Sequence, residues 1–331
     1  MVDHREVSIG LRSTSVASVS LRVGLGTLPL AGAYGIVSDD DALRVLHRAI
    51  DLGVELIDTA DTYGLGRAER LIGRAISSHE GRVTVATKVG LVAGGRGGVR
   101  NDRKYLRSAV DASRTRLGIE RIDLLFLHRL DRTIPIEETV GILAELVREG
   151  TAASIGLSEV TALELERALA VHPIAAVQSE WSVWSRDVEH QVVPACTGTG
   201  VQFIAASPLG RGFLAGKTAA PRDGDHRGNT PRLQPTSRAS NLVIASEINR
   251  LAIGEGVTPA QLLLVWLRDI GRRNGVRLTA IPGARSILQL EDNMVAAQQA
   301  VATDTLDAMD TLARIVSGDR GNPEWLSLGH E

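Results

Sequence analysis

Eight short apolar runs punctuate the chain, and the intervals between them carry apolar residues at helical spacing. The runs cover residues 23–26, 54–57, 83–87, 122–127, 153–157, 174–178, 201–205 and 276–281. Helical spacing appears at 40–52, 68–77, 102–117, 136–149, 162–171, 187–198 and over a longer stretch at 239–270, with further helices at 286–300 and 305–317. Short apolar runs alternating with helices read as strands of a parallel sheet covered on both faces. Eight such units favour a closed (β/α)8 barrel over an open doubly wound sheet. No Pro/Gly/Ser-rich linker divides the 331 residues, so 1–331 reads as a single domain. Two stretches stand apart. Residues 1–20 alternate briefly at Val7-Ser8-Ile9 and then turn small and polar, which predicts a short strand pair or irregular cap. Residues 219–238, after the seventh strand, are rich in Pro, Gly, Arg, Asp and Thr and predict a long mobile loop, a kind of connection that usually carries function.

Charge and cysteine usage remove several classes of function. A net charge of −2 gives no general pull toward nucleic acid or an anionic membrane surface. No apolar run approaches the ~20 residues of a membrane-spanning helix. The N-terminus also lacks the basic segment and apolar core of a secretion signal. The single cysteine, Cys196, excludes an internal disulfide and a cysteine-based metal site and fits a reducing cytoplasm. No His/carboxylate spacing suggests a metal. Of 37 basic residues only Lys88, Lys104 and Lys217 are lysine. In a chain that uses arginine by default, a lysine is more often chemically required.

A barrel of this kind carries its chemistry at the C-terminal ends of the strands. Strand two runs out into Ile57-Asp58-Thr59-Ala60-Asp61-Thr62-Tyr63-Gly64. Strand three ends at Ala86-Thr87-Lys88 and strand four at Leu125-Phe126-Leu127-His128. A phenol alone, with a pKa of ~10, exchanges protons poorly at neutral pH. A neighbouring ammonium favours the phenolate and so brings that pKa down. Each residue has a plainer reading by itself: the acid as a turn former, the lysine as a solvated charge, the histidine as a satisfied hydrogen-bonding group. Four of them on adjacent strand ends are harder to dismiss together.

With Gly24-Leu25-Gly26-Thr27, the Asp58/Tyr63 block, Lys88, His128, Gly156-Leu157-Ser158, Gln178, Ser207-Pro208-Leu209-Gly210 and Ile281-Pro282-Gly283 in order, the sequence resembles the aldo-keto reductase family from about residue 6 to 315. The resemblance implies a barrel that reduces small aldehydes or ketones with NADPH. The family's catalytic tetrad falls on Asp58, Tyr63, Lys88 and His128. Tyr63 would be the proton donor, Lys88 would tune it, Asp58 would hold Lys88, and His128 would orient the carbonyl. Cofactor contacts would fall on Gly26 and Thr27, with Ser158 and Gln178 on the nicotinamide carboxamide. Ser207, Leu209, Gly210 and Gly212 match the loop around the pyrophosphate, and Asn293 matches the adenine contact. The chain departs from the family in three places. Glu159 stands where asparagine is common, and a carboxylate cannot donate to the amide oxygen. Ala206 replaces an aromatic that stacks on the nicotinamide. Gly283 and Gln289 replace basic positions near the 2′-phosphate, which leaves Arg285 as the nearest candidate there. NADPH is still favoured over NADH.

Two other readings stand beside the reductase: a nucleotide-sensing regulatory subunit of the same fold, and a barrel lyase or isomerase using Lys88 as a Schiff-base amine. Gly64-Leu65-Gly66 and Gly210-Arg211-Gly212 lack the full dinucleotide fingerprint. Residues 90–98 read as a flexible loop beside the pocket, and Trp181 and Trp184 as either pocket lining or packing. The sequence carries no signal for oligomeric state and none that names the substrate.

Overall fold

The computed structural model describes residues 22–79, 83–92 and 98–326. The predicted N-terminal cap at 1–20, and 93–97 of the 90–98 loop, lie outside the described residues.

Nine parallel strand segments form one nearly closed sheet. In chain order they are β1 (Arg22–Val23), β2 (Leu25–Gly26), β3 (Leu56–Asp58), β4 (Thr84–Val89), β5 (Leu124–Leu127), β6 (Ile155–Ser158), β7 (Ala176–Glu180), β8 (Gln202–Ala206) and β9 (Leu278–Ala280). Segments β2 to β9 lie side by side in that order, and β1 pairs with β9. β1 and β2 are two halves of the first predicted strand, parted at Gly24. Arg22 in β1 stands opposite Thr279 in β9, whereas Gly26 in β2 stands opposite Asp58 in β3. The Gly24 N–H donates to the Ala280 carbonyl at 2.8 Å across this seam. A Cβ at Gly24 would lie 2.8 Å from the Leu56 carbonyl oxygen, so a larger residue would force the seam apart. All eight predicted strands are present, and the architecture is the (β/α)8 barrel.

Inside the sheet, Leu56, Ala86, Leu124, Phe126, Ala176, Ile204 and Ile281 pack into a closed cluster. The Phe126 ring sits against Gly156, where a Cβ would approach it to 2.3 Å. The barrel centre is therefore filled, and a ligand has room only at a rim. The outer layers begin where the sequence places caps. Ser38 caps α1 (Asp39–Asp51) by accepting from the Asp41 N–H, and three aspartates in its first turn complement the helix dipole. Asp102 caps α3 (Arg103–Leu117) in the same way. Between them, α2 (Arg67–Ser77) buries Leu71, Ile72 and Ala75 against the sheet.

Several boundaries differ from expectation. After α4 (Ile136–Arg148), α5 (Ala162–Leu169) and α6 (Val192–Thr199), the stretch at 239–270 is two helices, α7 (Pro235–Glu255) and α8 (Pro259–Arg273). Gly256 ends the first at φ 68°, and a Thr258/Gln261 capping box with Pro259 in the first turn starts the second. The loop expected at 219–238 is correspondingly shorter: its last four residues are the first turns of α7, and short 3₁₀ turns occupy His226–Asn229 and Pro231–Leu233. No described helix is long and apolar enough to cross a membrane.

Candidate active site

Parallel register brings the four strand-end residues together. Asp58 closes β3, Lys88 lies one residue before the end of β4, and His128 follows β5 directly. Tyr63 sits five residues beyond Asp58, in the turn that leads to α2. Lys88 Nζ donates to Asp58 Oδ2 at 2.6 Å, to the Thr59 carbonyl at 2.7 Å and to Tyr63 Oη at 3.4 Å. Three acceptors satisfy its three protons, in a position where the side chain is only 1% exposed. The other Asp58 oxygen, Oδ1, accepts from Gln178 Nε2 at 2.8 Å. The Thr27 amide and hydroxyl both donate to the Asp58 carbonyl. The His128 ring stands edge-on to Tyr63, with centroids 6.0 Å apart.

Burial and charge act in opposite directions here. Burial pulls the Lys88 ammonium down, but Asp58 and Tyr63 outweigh it, and its pKa ends above the ordinary lysine value. The amine is thus protonated and hydrogen-bonded, the wrong state for Schiff-base formation. Burial pushes Tyr63 up, and the lowering effect of Lys88 does not overcome it. This corrects the expectation of a net depressed phenol: Lys88 offsets part of the burial effect. His128 lies well below the usual histidine range, first through burial and then through the charges of Arg129 and Lys88. It is a neutral imidazole.

Above this floor opens a cavity of about 1230 Å³, larger than the ~300–1,000 Å³ typical of sites for drug-sized molecules. Twelve predicted site residues line it: Gly26, Thr27, Asp58, Tyr63, Gln178, Ser207, Leu209, Gly212, Gly283, Arg285, Gln289 and Asn293. One wall is the loop after β8, where Ser207, Gly210, Arg211 and Gly212 all adopt left-handed backbone conformations, with φ from 49° to 85°. A concave run of backbone amides with such reversals is a natural anion cradle. At the far end, Arg285 donates to the carbonyls of Tyr34 at 2.8 Å and Ile36 at 3.2 Å. Its Nε is buried with no partner, and its backbone N–H donates to Gln289 Oε1.

Five predicted residues stand outside the lining. Lys88 lies beneath Asp58 and Tyr63, and His128 and Gly210 also sit behind the surface. Ser158 Oγ accepts from Arg129 Nη1 at 3.3 Å. Glu159, at φ 55°, accepts from the Glu180 N–H at 3.0 Å and pairs with Arg320 at 2.8 Å. Trp181 and Trp184 are packing residues: Trp181 lies edge-on to Phe203, Trp184 stacks on Phe213, and neither lines the cavity. The sequence reading missed Tyr34, Lys217, Arg222 and Arg227 as cavity residues. The cluster of basic residues after the seventh strand was the available signal. Tyr34 lies under the Arg227 guanidinium, 5.3 Å from its ring centroid, and burial pushes its phenol up to about 12. Among the described residues no group of three metal-ligating side chains converges.

Residues 22–314 match the family model for aldo/keto reductases. The chain belongs to the aldo/keto reductase family. Its structure resembles that of a glycerol dehydrogenase from Gluconobacter oxydans, with a TM-score of 0.79 and 28% identity over 91% of this chain and 94% of that one. It also resembles an aldo-keto reductase from Klebsiella pneumoniae in complex with NADPH, with a TM-score of 0.70 and 26% identity over 91% and 94% of the two chains. A Klebsiella aldo-keto reductase in complex with NADP and acetate matches at 0.69 and 26%, over the same shares. Membership places this aldo/keto reductase among the oxidoreductases that act on carbonyl compounds.

Proposed function

We propose that this aldo/keto reductase reduces a small aldehyde or ketone to the alcohol with NADPH, and that Tyr63 supplies the proton. The observation that carries the reading is the three-way contact of Lys88 with Asp58, Thr59 and Tyr63 at the floor of the cavity. NADPH, when bound, supplies hydride to the carbonyl carbon. Tyr63, kept protonated at neutral pH, donates its hydroxyl proton to the carbonyl oxygen. The Lys88 charge then stabilises the phenolate left behind, which burial alone would disfavour. Asp58 keeps the ammonium in place. His128, being neutral, can hydrogen-bond the carbonyl oxygen without setting a second cation beside Lys88.

The polar groups suit the coenzyme. Gln178 has its amide nitrogen committed to Asp58, so its amide oxygen is the group left to accept from the carboxamide. Ser158 accepts from Arg129, so its own proton is left to donate. The left-handed loop at Ser207, Gly210 and Gly212, with Leu209, would hold the pyrophosphate, and Gly26 and Thr27 would flank the same channel. Asn293, Gln289 and Gly283 would frame the adenine. The guanidinium donors of Arg285 left over by Tyr34 and Ile36 would meet the 2′-phosphate, favouring NADPH over NADH. The buried Cys196 thiol, pushed up to about 12 by burial, is inert and fits a cytoplasmic setting.

The test is NADPH consumption with a panel of aldehydes and ketones, using wild type and Tyr63→Phe. A positioned general acid contributes ~10²–10⁴-fold, so the variant should lose that much activity while binding NADPH normally. A variant that keeps more than about a tenth of the rate is not missing its general acid.

A further inference from the structure

Arg320 lies beyond residue 314, where the family match ends, yet it reaches the wall behind the proposed nicotinamide position. Ser158, the last residue of β6, stands opposite Gln178 in the middle of β7, and the Glu159 N–H donates to the Gln178 carbonyl at 2.9 Å. Glu159 is thus a carboxylate directly behind the residues proposed to hold the carboxamide. Both partners of the Glu159–Arg320 pair are almost fully buried, with side chains 7% and 5% exposed. Burial lowers the Arg320 pKa, but Glu159, Glu180 and Asp187 outweigh it and keep the guanidinium charged. The segment that carries Arg320 is fixed independently. Asn241 bonds both the N–H and the carbonyl of Ser317, and Arg232 Nε donates to the Gly318 carbonyl at 3.0 Å.

The two redox states of the coenzyme differ by one charge at the ring: the oxidised nicotinamide is a cation and the reduced one is neutral. A buried carboxylate behind the ring attracts only the oxidised state unless a cation balances it. We propose that Arg320 is a charge-balancing and positioning residue for the nicotinamide site, neutralising Glu159 so that the enzyme does not hold the oxidised coenzyme in preference to the reduced one. The inference rests on the coenzyme reading given above.

The experiment measures dissociation constants of NADP⁺ and NADPH by fluorescence titration of the full chain at fixed salt. In Arg320→Gln the preference should move toward NADP⁺ by roughly fifteen- to a hundredfold, as expected for a unit charge acting over ~6–10 Å at an effective dielectric constant of ~20. Glu159→Gln should move it the other way, and Arg320→Lys should leave it near the wild-type value. The Glu159→Gln/Arg320→Gln pair should return the ratio toward wild type. A purely structural Arg320 would weaken both nucleotides together, so an unmoved ratio in Arg320→Gln and Glu159→Gln overturns the proposal. If Arg320→Gln does not fold, the direction of the shift in Glu159→Gln decides alone. Failure of the wild type to bind either nucleotide would instead overturn the coenzyme reading beneath it.

Discussion

Replacing Lys88 with methionine removes the ammonium and keeps much of the side-chain volume. The pair it breaks is short and dry, 2.6 Å long with side chains 1% and 3% exposed. Asp58 would be left as a buried carboxylate with Gln178 Nε2 as its remaining side-chain donor. Breaking a buried pair in this way is destabilising by about 3–5 kcal/mol. At roughly 2 °C per kcal/mol for a large domain, the melting temperature should fall by about 6–10 °C. Asp58→Asn should cost a similar amount by stranding the ammonium. The double variant Asp58→Asn/Lys88→Met strands neither charge and should recover most of the lost stability, a positive coupling on a double-mutant cycle. Activity behaves differently. Each of the three variants lacks the ammonium or its anchor, so carbonyl reduction should stay depressed by at least ~10²-fold even where the melting temperature returns. Thermal denaturation by circular dichroism and NADPH consumption, read on the same preparations, separate the two effects. A single variant within about 0.5 kcal/mol of wild type, or a double variant that regains activity with stability, would refute the reasoning.

Three further outcomes can be checked. Lys88→Arg keeps the charge but sets a planar fork where a compact ammonium meets three acceptors, so activity should not be rescued, and full activity would reduce Lys88 to a generic cation. Arg285→Ala should weaken NADPH by ~10–100-fold more than NADH, the value of a lost charge-assisted hydrogen bond. Because Arg285 also clasps the carbonyls of Tyr34 and Ile36, some loss is expected for both coenzymes, and equal losses would leave it only that clasp. Asp61 is pushed up to about 7, first by burial and then by Glu69, and its Oδ1 is buried without a partner. A carboxyl raised in the folded state keeps its proton there after the unfolded chain has lost its own. Stability should therefore fall as pH rises from about 4 to 7 and then level off. Asp61→Asn should remove that slope, gaining about 2–4 kcal/mol at pH 8 and almost nothing at pH 4, at ~1.4 kcal/mol per pKa unit. Denaturant melts giving the same pH curve for both proteins would rule this out.

The clustering of Asp58, Tyr63, Lys88 and His128 was legible because a parallel barrel turns strand order into spatial order. Once residues 54–57, 83–87 and 122–127 read as adjacent strands, Asp58, Lys88 and His128 had to emerge at one rim. The state of Tyr63 was not legible, since it is decided by burial as much as by the cation beside it. Glu159 reads as a departure from the family pattern in sequence alone because its partner Arg320 is 161 residues away in the chain. The two tryptophans were ambiguous for a related reason: only the positions of Phe203 and Phe213 decide which way their rings face. Helix ends slipped where a glycine or a capping box cut an apolar stretch whose periodicity ran on, as between α7 and α8.

The divided first strand has a consequence for how the protein reaches its native state. Its two halves join partners on either side of the seam, and β1 must wait for β9, more than 250 residues further along the chain. Contacts of such sequence separation form late, because the loop they close is long and nothing local rewards it beforehand. A ribosome must therefore release the chain at least as far as Ala280 before the ring can shut. Gly26 and Gly283 bridge the seam, and both line the cavity. A molecule in the cavity that rests against both recognises only the shut ring, so by mass action it shifts the population toward that state. Refolding with and without NADPH should then differ in how long the closed form persists, a measure of assembly that needs no substrate.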